Sequence, residues 1–271
     1  MTGHLLIAGG NIGATEAGKA AIFSRFSTLC GGKEGKVLIL ATASGEPIDS
    51  GADTVENLRA AGVGAATVLP LTELPEVLAQ GWTDRADEAL LPYLEGVTGV
   101  WFTGGDQLRT ARLLLNPDGS DTPVLSAIRA VLDRGGVIGG TSAGAAIMSR
   151  TMLVRGDDAG ALTLPVCTDP AVYVDREESP EQLLLSRGLG FLPSGLVDQH
   201  FNRRPRLQRL MAALEVSGEA MGYGISEDTA LEVDLETMAM KVHGSAYVMQ
   251  VSRTPVGMTI RKFTAADKAV Q

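Results

Sequence analysis

From Leu5 to about residue 150 short apolar runs alternate with stretches of helical character, and this alternation limits the fold more than any other feature. Strands are expected at 5–9, 36–42, 66–70, 97–102 and 136–139, and helices at 16–30, 51–62, 84–94, 106–115, 122–134 and 143–150. The order predicts an α/β protein with a doubly wound, mostly parallel sheet and helices on both faces. VLILAT and VTGVWFT are nearly continuous apolar runs, as expected of strands buried on both sides. In sheets of this kind the site lies beyond the carboxyl ends of the strands.

After residue 150 the texture changes. Residues 155–182 carry seven acids and three prolines with little periodicity, which reads as a long surface excursion. The chain returns through LLLSRGLGFLP to a helix expected at 203–216 and to short strands, TALEV, MAMKVHG and AYVMQVS, read as antiparallel. With no linker or repeat, the 271 residues are expected to form one domain.

The opening MTGHLLIAGG has no basic segment ahead of its short apolar run and reads as a first strand, not a signal peptide. No apolar stretch is long enough to cross a membrane, and Cys30 and Cys167 have the character of small hydrophobes rather than of a disulfide or metal framework. A cytoplasmic protein with no membrane partner is expected. The net charge of −9 argues against a nucleic-acid partner and is compatible with a cationic substrate.

The segment GVIGGTSAGAAIMS, residues 136–149, places Gly140-Thr141-Ser142-Ala143-Gly144 where a strand gives way to a helix. This G-x-S-x-G pattern in a strand–turn–helix context is the setting of a nucleophile elbow, with the serine hydroxyl raised above the sheet at a helix amino end. An N-cap serine in an ordinary glycine-rich turn is the structural alternative. A nucleophilic serine needs a base, and the chain has three histidines. His4 and His243 lie in or beside strands and read as structural imidazoles, whereas His200 in GLVDQHFNRRPRLQR follows an apolar run and precedes a helix. The third member is Asp198 or Glu227, and spacing alone does not choose between them. In FTGGDQLRT the turn at Gly105 and Asp106 can supply backbone N–H groups to an oxyanion alongside Ala143, or serve only as a helix start capped by Asp106. The opening IAGGNIG lacks the first glycine of a dinucleotide fingerprint, so no cofactor is expected, and no metal site is read.

Together FTGGDQ, GGTSAGAAIMS, GLGFLPSGLVDQHFNRRPRLQRL and GISEDTALEV resemble the cyanophycinases, serine exopeptidases of the peptidase E superfamily, across about residues 95–235. The resemblance implies a class I glutamine amidotransferase-like fold, a homodimer, and release of β-Asp-Arg dipeptides from cyanophycin, a poly-aspartate bearing isopeptide-linked arginine. It implies Ser142 as nucleophile, His200 as base and Glu227 as its support, with Gln107, Asp198, Gln199, Arg204, Arg206 and Arg209 in the substrate pocket. Arg203, Arg204, Arg206 and Arg209 also form the densest basic cluster of this acidic chain, suited to carboxylates. On a helix starting near residue 203, Arg206 and Arg209 would share a face. Acids for the substrate guanidinium are available at Asp157, Asp158, Asp175, Glu177, Glu178 and Glu181. Family members typically open with G-G-A-E-D-K, where this chain has Gly9-Gly10-Asn11-Ile12-Gly13-Ala14. The alternatives are a dipeptidase for small peptides with N-terminal aspartate and a non-catalytic binding protein on the same fold.

Overall fold

The computed structural model describes residues 2–168 and 181–267. Asp175, Glu177 and Glu178, three of the acids considered for the guanidinium, lie outside the described residues. The expected alternation is present as strands β1 (His4–Ala8), β2 (Lys36–Leu40), β3 (Ala65–Val68), β4 (Gly99–Phe102) and β5 (Val137–Thr141). Between and after them run helices α1 (Glu16–Leu29), α2 (Pro47–Ala60), α3 (Pro75–Leu78), α4 (Gln107–Leu114), α5 (Pro123–Asp133) and α6 (Ala143–Ala146). Each strand sends alternate side chains to opposite faces, as the pleat requires. Leu6, Ala8, Val37, Ile39 and Val137 meet Ile22, Phe23 and Phe26 of α1 and Leu58 of α2. Leu5, Ile7, Leu38, Leu40 and Ile138 point the other way and meet α4 and α5 through Leu108, Leu114, Leu125 and Ile128. Helices therefore cover both faces of the sheet. Thr15, Asp106 and Thr122 start α1, α4 and α5 by accepting a backbone N–H from within the first turn.

Segment 84–94 departs from expectation. It is a three-ten helix, Glu88–Leu94, with Pro92 inside. Proline has no N–H to close an α-helical turn, so an α-helix cannot run through it.

The second half adds β6 (Thr151–Arg155), α7 (Asp158–Thr163), β7 (Cys167–Thr168), β8 (Leu184–Arg187), β9 (Leu196–Asp198), α8 (Leu207–Ser217), β10 (Met221–Ile225), β11 (Thr229–Asp234), β12 (Met240–Gly244), β13 (Tyr247–Thr254) and β14 (Gly257–Thr264). The seven-stranded central sheet has the order β12-β11-β1-β5-β4-β2-β3. Its β1, β5, β4, β2 and β3 are parallel, and β11 and β12 extend it antiparallel. A second sheet runs β14-β13-β10-β9, with β9 and β10 parallel, and a third runs β6-β8-β7. The late strands thus divide between two sheets. TALEV and MAMKVHG join the central sheet, whereas AYVMQVS pairs with β10 and with β14, a strand with no counterpart in the sequence reading. The excursion after residue 155 contributes the short helix α7 and the strand β7. Among the described residues no helix is long and apolar enough to cross a membrane.

Candidate active site

Ser142 follows β5, the inner strand between β4 and β1, and its backbone has φ 54° and ψ −110°. A non-glycine residue with positive φ is held there by its surroundings. The glycines on either side make the bend possible. A β-carbon on Gly140 would strike the Gly144 backbone, and one on Gly144 would strike Phe102. The strained turn lifts the hydroxyl off the sheet at the start of α6.

His200 lies two residues beyond β9 and Glu227 two beyond β10, so the parallel pairing of those strands in the second sheet brings both to the end of the first. Ser142 Oγ is 2.8 Å from His200 Nε2, and His200 Nδ1 is 2.6 Å from Glu227 Oε1. His200 too has positive φ, 52°, and its backbone N–H donates to the Gly9 carbonyl at 2.6 Å. A β-carbon at Gly10 would occupy the space of the imidazole. The opening turn after β1 is therefore the wall against which the ring packs.

The electrostatics follow from this enclosure. Burial pushes the His200 imidazolium below its ordinary pKa of 6.5; the Glu227 hydrogen bond opposes that shift, and the charge of Arg204 adds to it. Burial alone would raise the Glu227 carboxyl. Donation from Asn11 and from His200, with Arg203 nearby, outweighs burial and brings it below its ordinary value. At neutral pH the pair is a neutral imidazole beside a carboxylate, which can take a proton from Ser142 and stabilise the resulting imidazolium.

The candidate oxyanion donors separate. The backbone N–H groups of Ala143, at the first position of α6, and of Gly105 have no acceptor among the described residues. Asp106 does not fit the role, because its N–H donates to the Ala43 carbonyl at 2.8 Å and its side chain caps α4. Gly104 of the same turn lies beside Ser142, a β-carbon there falling 3.4 Å from Ser142 Cβ.

The basic cluster also divides. Helix α8 begins at Leu207, not near residue 203, because Pro205 and the non-helical φ of Arg206, −134°, precede it. Arg206 is the N-cap residue, Arg203 and Arg204 stand on the preceding loop, and the expected shared helix face is absent. Asp198 is fully buried and accepts from Arg209 Nε at 2.8 Å and Nη2 at 2.5 Å. Arg209 Nη1 donates to the Gly156 carbonyl, and the Arg209 backbone N–H to Asp158 Oδ1. Asp198 and Arg209 are thus turned to each other behind the site surface, where they tie α8 to the segment leading into α7. Asp198 has no exposed surface and Arg209 almost none, so this pairing fits a supporting place behind the expected substrate pocket rather than direct contact.

Arg206 donates to the Gln199 carbonyl and approaches Asp198 at 3.4 Å. Burial lowers its pKa to about 10, against the opposing pull of Asp198, so it remains a cation. Gln107 is buried with its amide nitrogen 2.8 Å from the Leu153 carbonyl and 2.7 Å from that of Val154. Arg204 is exposed on the loop that follows His200. Of the other two histidines, His243 pairs with Glu232 at 2.6 Å and His4 lies 3.7 Å from the same carboxylate.

Two residues near the site were missed. Asn11 Nδ2 donates to Glu227 Oε2 at 2.9 Å. Asp228 accepts from the Gly13 and Thr15 N–H groups and from the Thr15 hydroxyl, locking the opening turn to the segment that carries Glu227. The signal for Asp228 lay in the SEDTA block itself; for Asn11 only the departure at residues 9–14 pointed there.

The profile of peptidase family S51 matches residues 4–241. A cyanophycinase from Geminocystis herdmanii is 35% identical over 211 residues, covering 77% of this chain and 66% of that protein. One from Synechococcus elongatus is 32% identical over 232 residues, covering 84% and 62%. One from Trichormus variabilis is 32% identical over 251 residues, covering 91% and 73%. The chain therefore spans slightly less than two thirds of the length of the first two relatives. The crystal structure of a peptidase from an acI-B1 actinobacterium superposes with a TM-score of 0.64 at 20% identity, over 100% of this chain and 97% of that one. A protein from Listeria monocytogenes provisionally assigned as a peptidase E gives 0.51 at 16%, over 91% and 100%. Both share the fold.

Proposed function

The chain belongs to peptidase family S51, and from that premise we propose that it is a serine hydrolase of cyanophycin, releasing β-Asp-Arg dipeptides. The observation that carries this reading is the hydrogen-bonded line from Ser142 through His200 to Glu227 at a strained strand-to-helix turn, with arginines on the adjoining loop. Ser142 Oγ attacks the scissile carbonyl while His200 Nε2 takes its proton, and Glu227 stabilises the imidazolium. The oxyanion is received by the N–H groups of Ala143 and Gly105. His200 then returns the proton to the departing amine, leaving an acyl-enzyme. Water, deprotonated by the same nitrogen, hydrolyses the ester and frees Ser142.

Each residue of this substrate ends in an arginine α-carboxylate. Arg204 and Arg206 are its proposed partners, Arg204 from the open loop and Arg206 from its N-cap position. Gln107 and Gln199 line the same pocket, and the buried Asp198–Arg209 pair holds its wall. The reading includes a homodimer working in the cytoplasm, in keeping with the family resemblance; sedimentation of the purified chain checks the assembly. The activity is tested by comparing turnover of cyanophycin with that of small Asp-X dipeptides. Turnover of the polymer with little of the dipeptides is expected, and the reverse preference would assign a peptidase E-like dipeptidase instead.

A further inference from the structure

We propose that Asn11 is a positioning residue of this site: its side-chain amide fixes the plane of the Glu227 carboxylate and thereby the orientation of His200. The inference rests on the reading of Ser142, His200 and Glu227 as one catalytic unit. Glu227 uses Oε1 for the imidazole, at 2.6 Å. Its other oxygen has two suitors, Asn11 Nδ2 at 2.9 Å and Arg203 Nε at 3.6 Å. The two donors differ in kind. An amide is neutral, so it orients the carboxylate and leaves its charge to support the imidazolium. A guanidinium in close contact neutralises part of that charge and pulls Oε2 toward the Arg203 side chain, which is 67% exposed.

Asn11 itself faces solvent, but its backbone is not free to move. The residue has φ 43°, the left-handed conformation that asparagine tolerates better than most side chains. Gly9 before it receives the His200 N–H, and the Gly10 carbonyl receives the Asp228 N–H at 2.9 Å. After it, Gly13 and Thr15 donate to the Asp228 carboxylate at 3.0 and 3.1 Å. The amide is thus carried by a turn fastened on one side to His200 and on the other to the residue after Glu227. A turn fastened in this way sets where Glu227 points, and Glu227 sets which imidazole nitrogen carries the proton.

The charged groups acting on the imidazole and its carboxylate are Arg203, Arg204 and Arg206. If Asn11 is removed, Glu227 is released toward Arg203 and loses its hold on His200. Burial and the nearby arginines then act on the imidazole with less opposition, and its pKa falls further.

Asn11→Gly keeps the left-handed backbone and deletes only the amide. It should lower kcat about 10- to 100-fold with KM within about twofold. The second readout does not depend on any substrate. The chain has three histidines, so a His200→Gln control identifies the His200 signals in an imidazole NMR spectrum. In Asn11→Gly the low-field Nδ1 proton of His200 should move upfield or be lost to exchange, and His200 should titrate at lower pH than in the parent protein. Asn11→Asp, the same shape without a donor at neutral pH, should lose at least as much kcat. An unchanged His200 proton and titration in Asn11→Gly, a raised His200 pKa, or parental kcat in Asn11→Asp overturns the proposal. Retained hydrolysis by Ser142→Ala would instead remove the serine mechanism, while the NMR outcome would still decide whether Asn11 orients Glu227.

Discussion

At the scale of single residues, function depends on backbone conformations that most side chains avoid. Asn11, Ser142, His200 and Asp228 all have positive φ, and all lie in or against the proposed active site. Such strain persists where the surroundings over-determine it. The His200 ring is enclosed enough that burial holds its pKa below 6.5, so the neutral base survives to lower pH than a free imidazole would. The acid limb of kcat/KM should therefore have its midpoint below 6.5, measured by steady-state assays across pH; a midpoint at or above 6.5 would contradict the enclosure. Ser142 and His200 were legible because each is marked locally, one by its flanking glycines and the other by its position between an apolar run and a helix. The choice between Asp198 and Glu227 was not legible in the spacing, and only the family resemblance favoured Glu227. It depends on β9 lying beside β10 and on Arg209 reaching back to cover Asp198, neither of which spacing encodes.

At the scale of elements, the loop from His200 to Arg206 and the helix α8 after it divide the arginines by task. Arg204 is open to ligand, whereas Arg209 and Asp198 form a buried ion pair that joins α8 to the approach to α7. Removing one partner of such a pair leaves an unbalanced buried charge and typically costs about 3–5 kcal/mol. Asp198→Asn and Arg209→Met should accordingly lower the thermal midpoint markedly. Arg204→Ala should leave melting unchanged and reduce kcat/KM on cyanophycin about 10- to 150-fold, the loss of one charged hydrogen-bonding contact. Equal melting in all three variants would refute this division. Most elements of the parallel sheet could be read from their apolar periodicity. Three features could not, each for its own reason: Pro92 converts an expected α-helix to three-ten form, Pro205 delays α8, and β14 buries little besides Phe263, so it shows no apolar alternation.

At the scale of the whole molecule, the site stands where the central sheet meets the second one. Ser142 comes from the first, His200 and Glu227 from strands of the second, and the return of the chain from β10 into β11 closes the join. The partition of the late strands was hidden because it is decided by tertiary pairing, while their antiparallel character was plain. On β11 of the central sheet, Glu232 accepts from Arg25 and His243. Burial alone would raise its pKa, but these partners hold it at about 2, down from 4.5. A carboxylate with a depressed folded-state pKa stabilises the fold fully above its unfolded value and loses that contribution as pH falls from about 4.5 toward about 2. Glu232→Gln should therefore lower the melting temperature at pH 7 and narrow its gap to the parent protein as the pH falls through that window. A gap independent of pH would contradict the assignment. The central claim is serine hydrolysis of cyanophycin at Ser142, and its most direct test is mass-spectrometric identification of the products when the polymer is incubated with the parent protein and with Ser142→Ala. The expected result is β-Asp-Arg dipeptide from the parent and at least about a thousandfold less from a folded Ser142→Ala; intact polymer with the parent protein, or comparable dipeptide from both, would contradict it.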